Sequence, residues 1–172
     1  PKPPAAQPRI SATRPVLLSI VNGTIVYDDL ASDRREEMAD VDLDMTWPRT
    51  DVAASVRGTL QWRGEAVDFN ASATDPVDLI RGGTSAVRFS VAATPLRIQF
   101  NGKATGDGSM LGALTLDGDS AVTTPSLRRT IEWLGTPMGP GSILGTASVR
   151  GHLAWADSTA SFEKATLELD GN

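Results

Sequence analysis

The residues in this chain that could do chemistry are few and poorly grouped. His152 is the only histidine, and there is no cysteine. A thiolate nucleophile, a sulfur-ligated zinc and a multi-histidine metal site are excluded, as is a Ser-His triad built without His152. His152 follows Gly151 on a strand-like segment with no base or nucleophile beside it. Asp40, Asp42 and Asp44 offer oxygen ligands of the kind calcium takes. On a strand, alternate side chains stand about 7 Å apart and point in parallel, so these acids read as a solvated face that discourages edge pairing. Asp28-Asp29 and Asp117-Gly118-Asp119 read as turn acids, and Asp33-Arg34-Arg35-Glu36-Glu37 as a solvated connection. Arg128-Arg129 falls on the polar side of a predicted helix, where it serves solubility. Neither a phosphate-cradling glycine loop nor a nucleophile elbow occurs. The sequence therefore predicts no catalytic, cofactor or metal residues, and a protein that is not an enzyme.

The elements that hold these residues are mostly strands. With 172 residues, 40% of them hydrophobic, the chain is long enough to bury its own core. Its net charge of −5 and pI near 4.8 exclude the basic footprint of a nucleic-acid binder. Residues 1–14, with Pro1, Pro3, Pro4 and Pro8, read as a Pro-rich linker, and the absence of an initial Met predicts a piece of a longer protein. No apolar run approaches the roughly 18 residues that cross a bilayer, so no membrane span is predicted within the chain.

Apolar residues recur with a period of two, which predicts half-buried strands. Val41, Leu43, Met45 and Trp47 alternate with polar residues; so do Val87, Phe89 and Val91, and then Leu96, Ile98 and Phe100. Ala92-Ala93-Thr94-Pro95 joins the last two sets as a hairpin, and Asn22-Gly23 predicts another between 17–21 and 24–27. Further strands are expected at 52–62, 66–73, 110–116, 143–155 and 160–169. Thr124-Pro125 and Gly135 bracket an amphipathic helix near 125–134, with Leu127, Ile131 and Leu134 as its stripe; Asp75-Pro76 to Gly82-Gly83 predicts a helical turn near 76–81. The fold class is mainly β: an antiparallel meander or curved sheet, or a sandwich, of many short strands. V-R-G-x-L-x-W occurs at Val56–Trp62 and again at Val149–Trp155. Residues 15–172 thus read as a single β-rich domain, with two repeated sheet units, about 15–104 and 105–172, as an open alternative.

Several phrases in order resemble the periplasmic AsmA family of proteobacteria, particularly its alphaproteobacterial members. They are Ile20 to Asp29, Val41-Asp42-Leu43, Gly58 to Glu65, Asp75-Pro76 with its short helix, Phe100-Asn101-Gly102, Ser126-Leu127-Arg128 ahead of Trp133-Leu134-Gly135, and Leu169-Asp170-Gly171. The resemblance covers residues 15 to 172. It implies a β-rich periplasmic segment of a parent anchored in the inner membrane, with a role in outer-membrane biogenesis and lipid transport or homeostasis. It also implies a curved sheet whose apolar groove takes phospholipid acyl chains, flanking repeats of the parent chain as neighbours, and no catalytic residues.

Val87, Phe89, Val91, Leu96, Ile98 and Phe100 supply the stripe such a groove needs. The same stripe would equally serve as the closed core of a sandwich. A β-sandwich adhesion or carbohydrate-binding module of a secreted protein is the alternative function, and it would present flat, exposed aromatic rings.

Overall fold

The computed structural model describes residues 15–29, 34–108, 114–139, 145–156 and 159–170; the predicted linker 1–14 lies outside them. Its elements are β1 (Val16–Asp29), β2 (Arg34–Trp47), β3 (Ala54–Trp62), β4 (Glu65–Ala73), α1 (Pro76–Ile80), β5 (Thr84–Ala93), β6 (Arg97–Thr105), β7 (Thr115–Thr124), α2 (Leu127–Trp133), β8 (Ala147–Ala156) and β9 (Thr159–Leu169). The strands form one nine-stranded antiparallel sheet in chain order, with β1 and β9 as its two edges. The fold is an open meander and not a sandwich: among the described residues no second sheet lies on the first.

The period-two pattern becomes two unlike faces because cross-strand partners share a face. One row runs Ile20, Leu43, Gly58, Phe69, Val91, Ile98, Val122, Val149, Leu167 across all nine strands without a polar side chain. A row on the other face runs Ser19, Asp44, Arg57, Asn70, Ser90, Gln99, Ala121, Arg150, Thr166. One face is thus for apolar matter and the other for water.

Curvature hides part of the apolar face. Phe100 and Ala104 are each 1% exposed although, among the described residues, no second sheet lies on this one. Glycines allow the bend. A Cβ at Gly102 would run into the carbonyl oxygen of Asp117 and stand 2.6 Å from the Cα of its partner Gly118. A Cβ at Gly58 would strike the carbonyl oxygen of Asp42 and stand 2.7 Å from the Phe69 ring.

Several expectations are corrected. Asn22-Gly23 does not reverse the chain: β1 runs through it, and Asn22 (φ 53) forms a bulge opposite β2. The left-handed backbone that suits a hairpin turn also suits a bulge. Asp40 (φ 49) lies in the matching irregularity of β2, so the three acids do not form one even row. Asp42 accepts a 2.8 Å bond from the Asn22 amide, while Asp44 accepts from Ser19. Asp117-Gly118-Asp119 lies inside β7, and Asp28-Asp29 ends β1; neither is a turn. β7 begins at Thr115, so the strand expected at 110–116 is displaced along the chain, and residues 109–113 lie outside the described residues. Arg34–Glu37 belong to β2 and are not a loop. The helix cap is Ser126, whose hydroxyl accepts from the Arg129 amide, while Thr124 accepts from the Ser126 amide. The two V-R-G-x-L-x-W copies fall on β3 and β8, which run in opposite directions in a strict meander. Each copy places its Val, Leu and Trp on the apolar face.

The close approach at Gly102 sets a test. Gly102→Ala is expected to lower unfolding stability by about 1–3 kcal/mol, because a packed bend must shift to admit the methyl group. A lower urea midpoint with an unchanged slope would show it. An unaltered midpoint would mean that the glycine is not needed for the curvature.

Candidate functional site

The apolar face holds one hollow of about 660 Å³, within the range of ligand-sized clefts. It stretches from Met45 on β2 to Trp155 on β8, and Leu79 of α1 and Leu114 stand at its margin. Its floor is made of small side chains, Ala54, Ala71, Ala73 and Ala104, beside the larger Val56, Val87, Phe89 and Leu116. Bulky residues placed next to small ones on a curved face leave a trough. Its lining falls in three successive rows, Met45–Val56–Ala71–Phe89, Ala54–Ala73–Val87 and Ala104–Leu116–Trp155, so it runs obliquely across the sheet from β2 to β8.

Of the six residues singled out in the sequence, Val87 and Phe89 line this hollow. Phe100 is buried and stacks on Phe89 with ring centroids 5.1 Å apart, behind the lining and not part of it. Val91 and Ile98 lie on the same face in the nine-strand row. Leu96 differs: it exchanges backbone bonds with Ala93 in the turn before β6. Sequence reasoning missed Met45, Val56, Ala71, Leu79, Leu116 and Trp155. The strand residues among them follow visible period-two patterns, but which strands face one another, and that α1 brings Leu79 to them, is not legible.

Both helices sit at strand ends. Leu79 carries α1 to the hollow, at the end of the sheet where β4 stops and β5 starts. At the opposite end, α2 crosses from β7 toward β3. Thr130 bonds to Thr124 (2.8 Å) and to the Pro95 carbonyl. Trp133 packs edge-on against Trp62 with centroids 4.8 Å apart and donates to the Trp62 carbonyl. Arg63 ties the corner together: it pairs with Glu36, donates to the Trp133 carbonyl at 2.8 Å and lies over the Trp62 ring. Bonding to the Glu36 carboxylate raises the Arg63 guanidinium above its ordinary value. Arg129 pairs with Glu65, and this bond, with one from Thr94, lowers the Glu65 carboxyl below its usual range. The predicted polar pair Arg128-Arg129 is thus engaged: Arg128 meets Glu132 and the Met138 and Gly139 carbonyls.

The polar face holds the remaining candidate groups. His152 lies opposite Asp119 and Glu163, with Nε2 3.3 Å from Asp117 and Nδ1 3.7 Å from Asp119. It faces away from the hollow. Among the described residues no three histidine or carboxylate side chains gather as metal ligands would. Every buried side-chain nitrogen or oxygen among the described residues has a hydrogen-bond partner.

Comparison with protein families, curated proteins and solved structures found no match for this chain. Its function must be argued from the face itself.

The Glu65 pairing gives a pH test. A carboxyl lowered on folding stabilises the protein above its unfolded value and loses that contribution as pH falls through the folded value. Glu65→Gln is therefore expected to lower Tm at neutral pH, with the difference closing below about pH 4. A constant difference across the acid range would assign the loss to packing instead.

Proposed function

We propose that this chain is a non-enzymatic lipid-binding segment of a periplasmic, AsmA-like envelope protein, serving outer-membrane biogenesis through lipid transport or homeostasis. Its ligands are phospholipid acyl chains, and flanking parts of a longer parent chain are its structural neighbours. One observation carries the reading: an apolar row continues across all nine strands, and among the described residues no second sheet covers it. Soluble domains seldom leave such a face open unless something docks there. The hollow on that face is lined mainly by apolar side chains, which suits a tail better than a sugar or a peptide.

The position of the aromatic rings supports a tail over a carbohydrate. Trp47, Trp62, Trp155, Phe69, Phe89, Phe100 and Phe162 all fall on the apolar face by register. A sugar-binding reading needs flat rings beside polar hydrogen-bonding groups. Among the described residues no helix is long and apolar enough to cross a membrane.

Each methylene buried in the trough contributes about 0.8 kcal/mol, so a tail of ordinary length would survive gentle purification. Native mass spectra of freshly purified protein are expected to contain fatty-acid or phospholipid adducts. Trp155, 45% exposed yet lining the hollow, can be changed at little structural cost. Trp155→Glu should abolish the adducts and leave the β circular-dichroism spectrum intact. Phe89→Asp should do the same with some loss of stability, because Phe89 also stacks on Phe100. Adduct-free wild-type protein that also ignores a fluorescent fatty acid would refute the reading.

A further inference from the structure

We propose that β1 pairs edge to edge with β1 of a second copy of this chain, antiparallel and across a two-fold axis, joining two sheets with their apolar faces on the same side. β1 has a strand partner on one side only, β2. From Val16 to Tyr27 it contains no charge and no proline, the devices that keep a long edge from pairing. It is also apolar on both faces. Leu17 and Val26 face the wet side, opposite Thr46 and Glu37, and Val21 stands between them at the bulge. Leu17 is 73% and Val21 79% exposed, the highest values for large hydrophobic side chains among the described residues. Near-continuous apolar runs of this kind belong to strands buried on both faces. β9, the other edge, is guarded: it carries Glu163, Lys164 and Glu168 and is irregular at Lys164 (φ 50). The assembly therefore closes at two copies.

The bulge makes the strand complementary to itself. Strict alternation puts residues an odd number apart on opposite faces. The extra residue at Asn22 instead leaves Ile20 and Gly23 on the same face. About a two-fold axis between Val21 and Asn22, each position in the first arm then meets one of its own kind in the second arm of the other copy. On the apolar face Val16 stands opposite the partner's Tyr27, Leu18 opposite the partner's Ile25, and Ile20 opposite the partner's Gly23. On the wet face Leu17 meets the partner's Val26, and Ser19 meets the partner's Thr24. Val21 reaches the axis beside the partner's Val21, so the two most exposed apolar side chains are both covered. A slip of two residues would set Leu17 against Asp28 or Thr24, so the register is specific. No β1 residue lines the hollow, and the interface does not depend on the lipid reading.

Sedimentation velocity at concentrations on the order of 1–100 μM is expected to show the chain passing from one copy to two and no further. Val21→Lys alters an exposed side chain and sets two like charges at the axis. It should stay monomeric throughout with an unchanged β circular-dichroism spectrum. The register has its own test, because the chain has no cysteine. Positions 17 and 26 lie roughly 30 Å apart along one strand, too far to bridge within a copy. Leu17→Cys/Val26→Cys, oxidised with diamide, should give a covalent dimer at least about tenfold faster than either single variant, because only the double variant holds two thiols opposite each other. Equal rates for single and double variants would overturn the ladder. Wild-type protein that grows past two copies, or stays monomeric at the highest concentration, would overturn the pairing. The monomeric result would assign the β1 edge to a flanking strand of a longer parent instead.

Discussion

A sheet with one apolar face and no second layer must either bend that face away from water or have it covered. That constraint accounts for most of this molecule. At Gly102 and Gly118 the strands approach so closely that any side chain would collide with the neighbouring strand. The bend buries Phe100 and Ala104, with no second sheet among the described residues. The covering comes from α2 at one end, and the part that is neither tightly bent nor covered is the trough. The site is therefore the remainder left by the fold's own solution for its apolar face.

The polar groups follow from the same constraint. Arg63 and Glu36 meet where β2, β3 and α2 converge, and their mutual bonding holds Trp62 and Trp133 against each other. Exposed ion pairs contribute little to stability, but one tucked beneath two indoles fixes geometry. His152 and its neighbouring acids, by contrast, lie on the wet side and touch nothing in the trough.

Much of the fold was legible in the sequence because a period of two is a local signal. β3, β4, β5, β6, β8 and β9 fall close to their expected spans, as do both helices. The failures share a cause. Asn22-Gly23, Asp40 and Asp117-Gly118-Asp119 carry residue types that suit a turn, a bulge or a tight bend equally well. Which of these forms depends on the facing strand, and local sequence does not report that. The trough was half legible for the same reason: Val87 and Phe89 could be read from their own strand. Met45, Ala71 and Trp155 join them only through a register that spans the whole sheet.

The strand order has a consequence for how the chain acquires its structure. Every strand pairs with the one before it and the one after it, so no pairing waits for a distant segment to arrive. Contacts of this kind are short in sequence and carry a small loop-closure cost, which favours rapid assembly. A chain emerging from its N-terminus can therefore add hairpins one at a time onto a growing edge. Each intermediate is a smaller version of the finished sheet, exposing one new apolar stripe at a time.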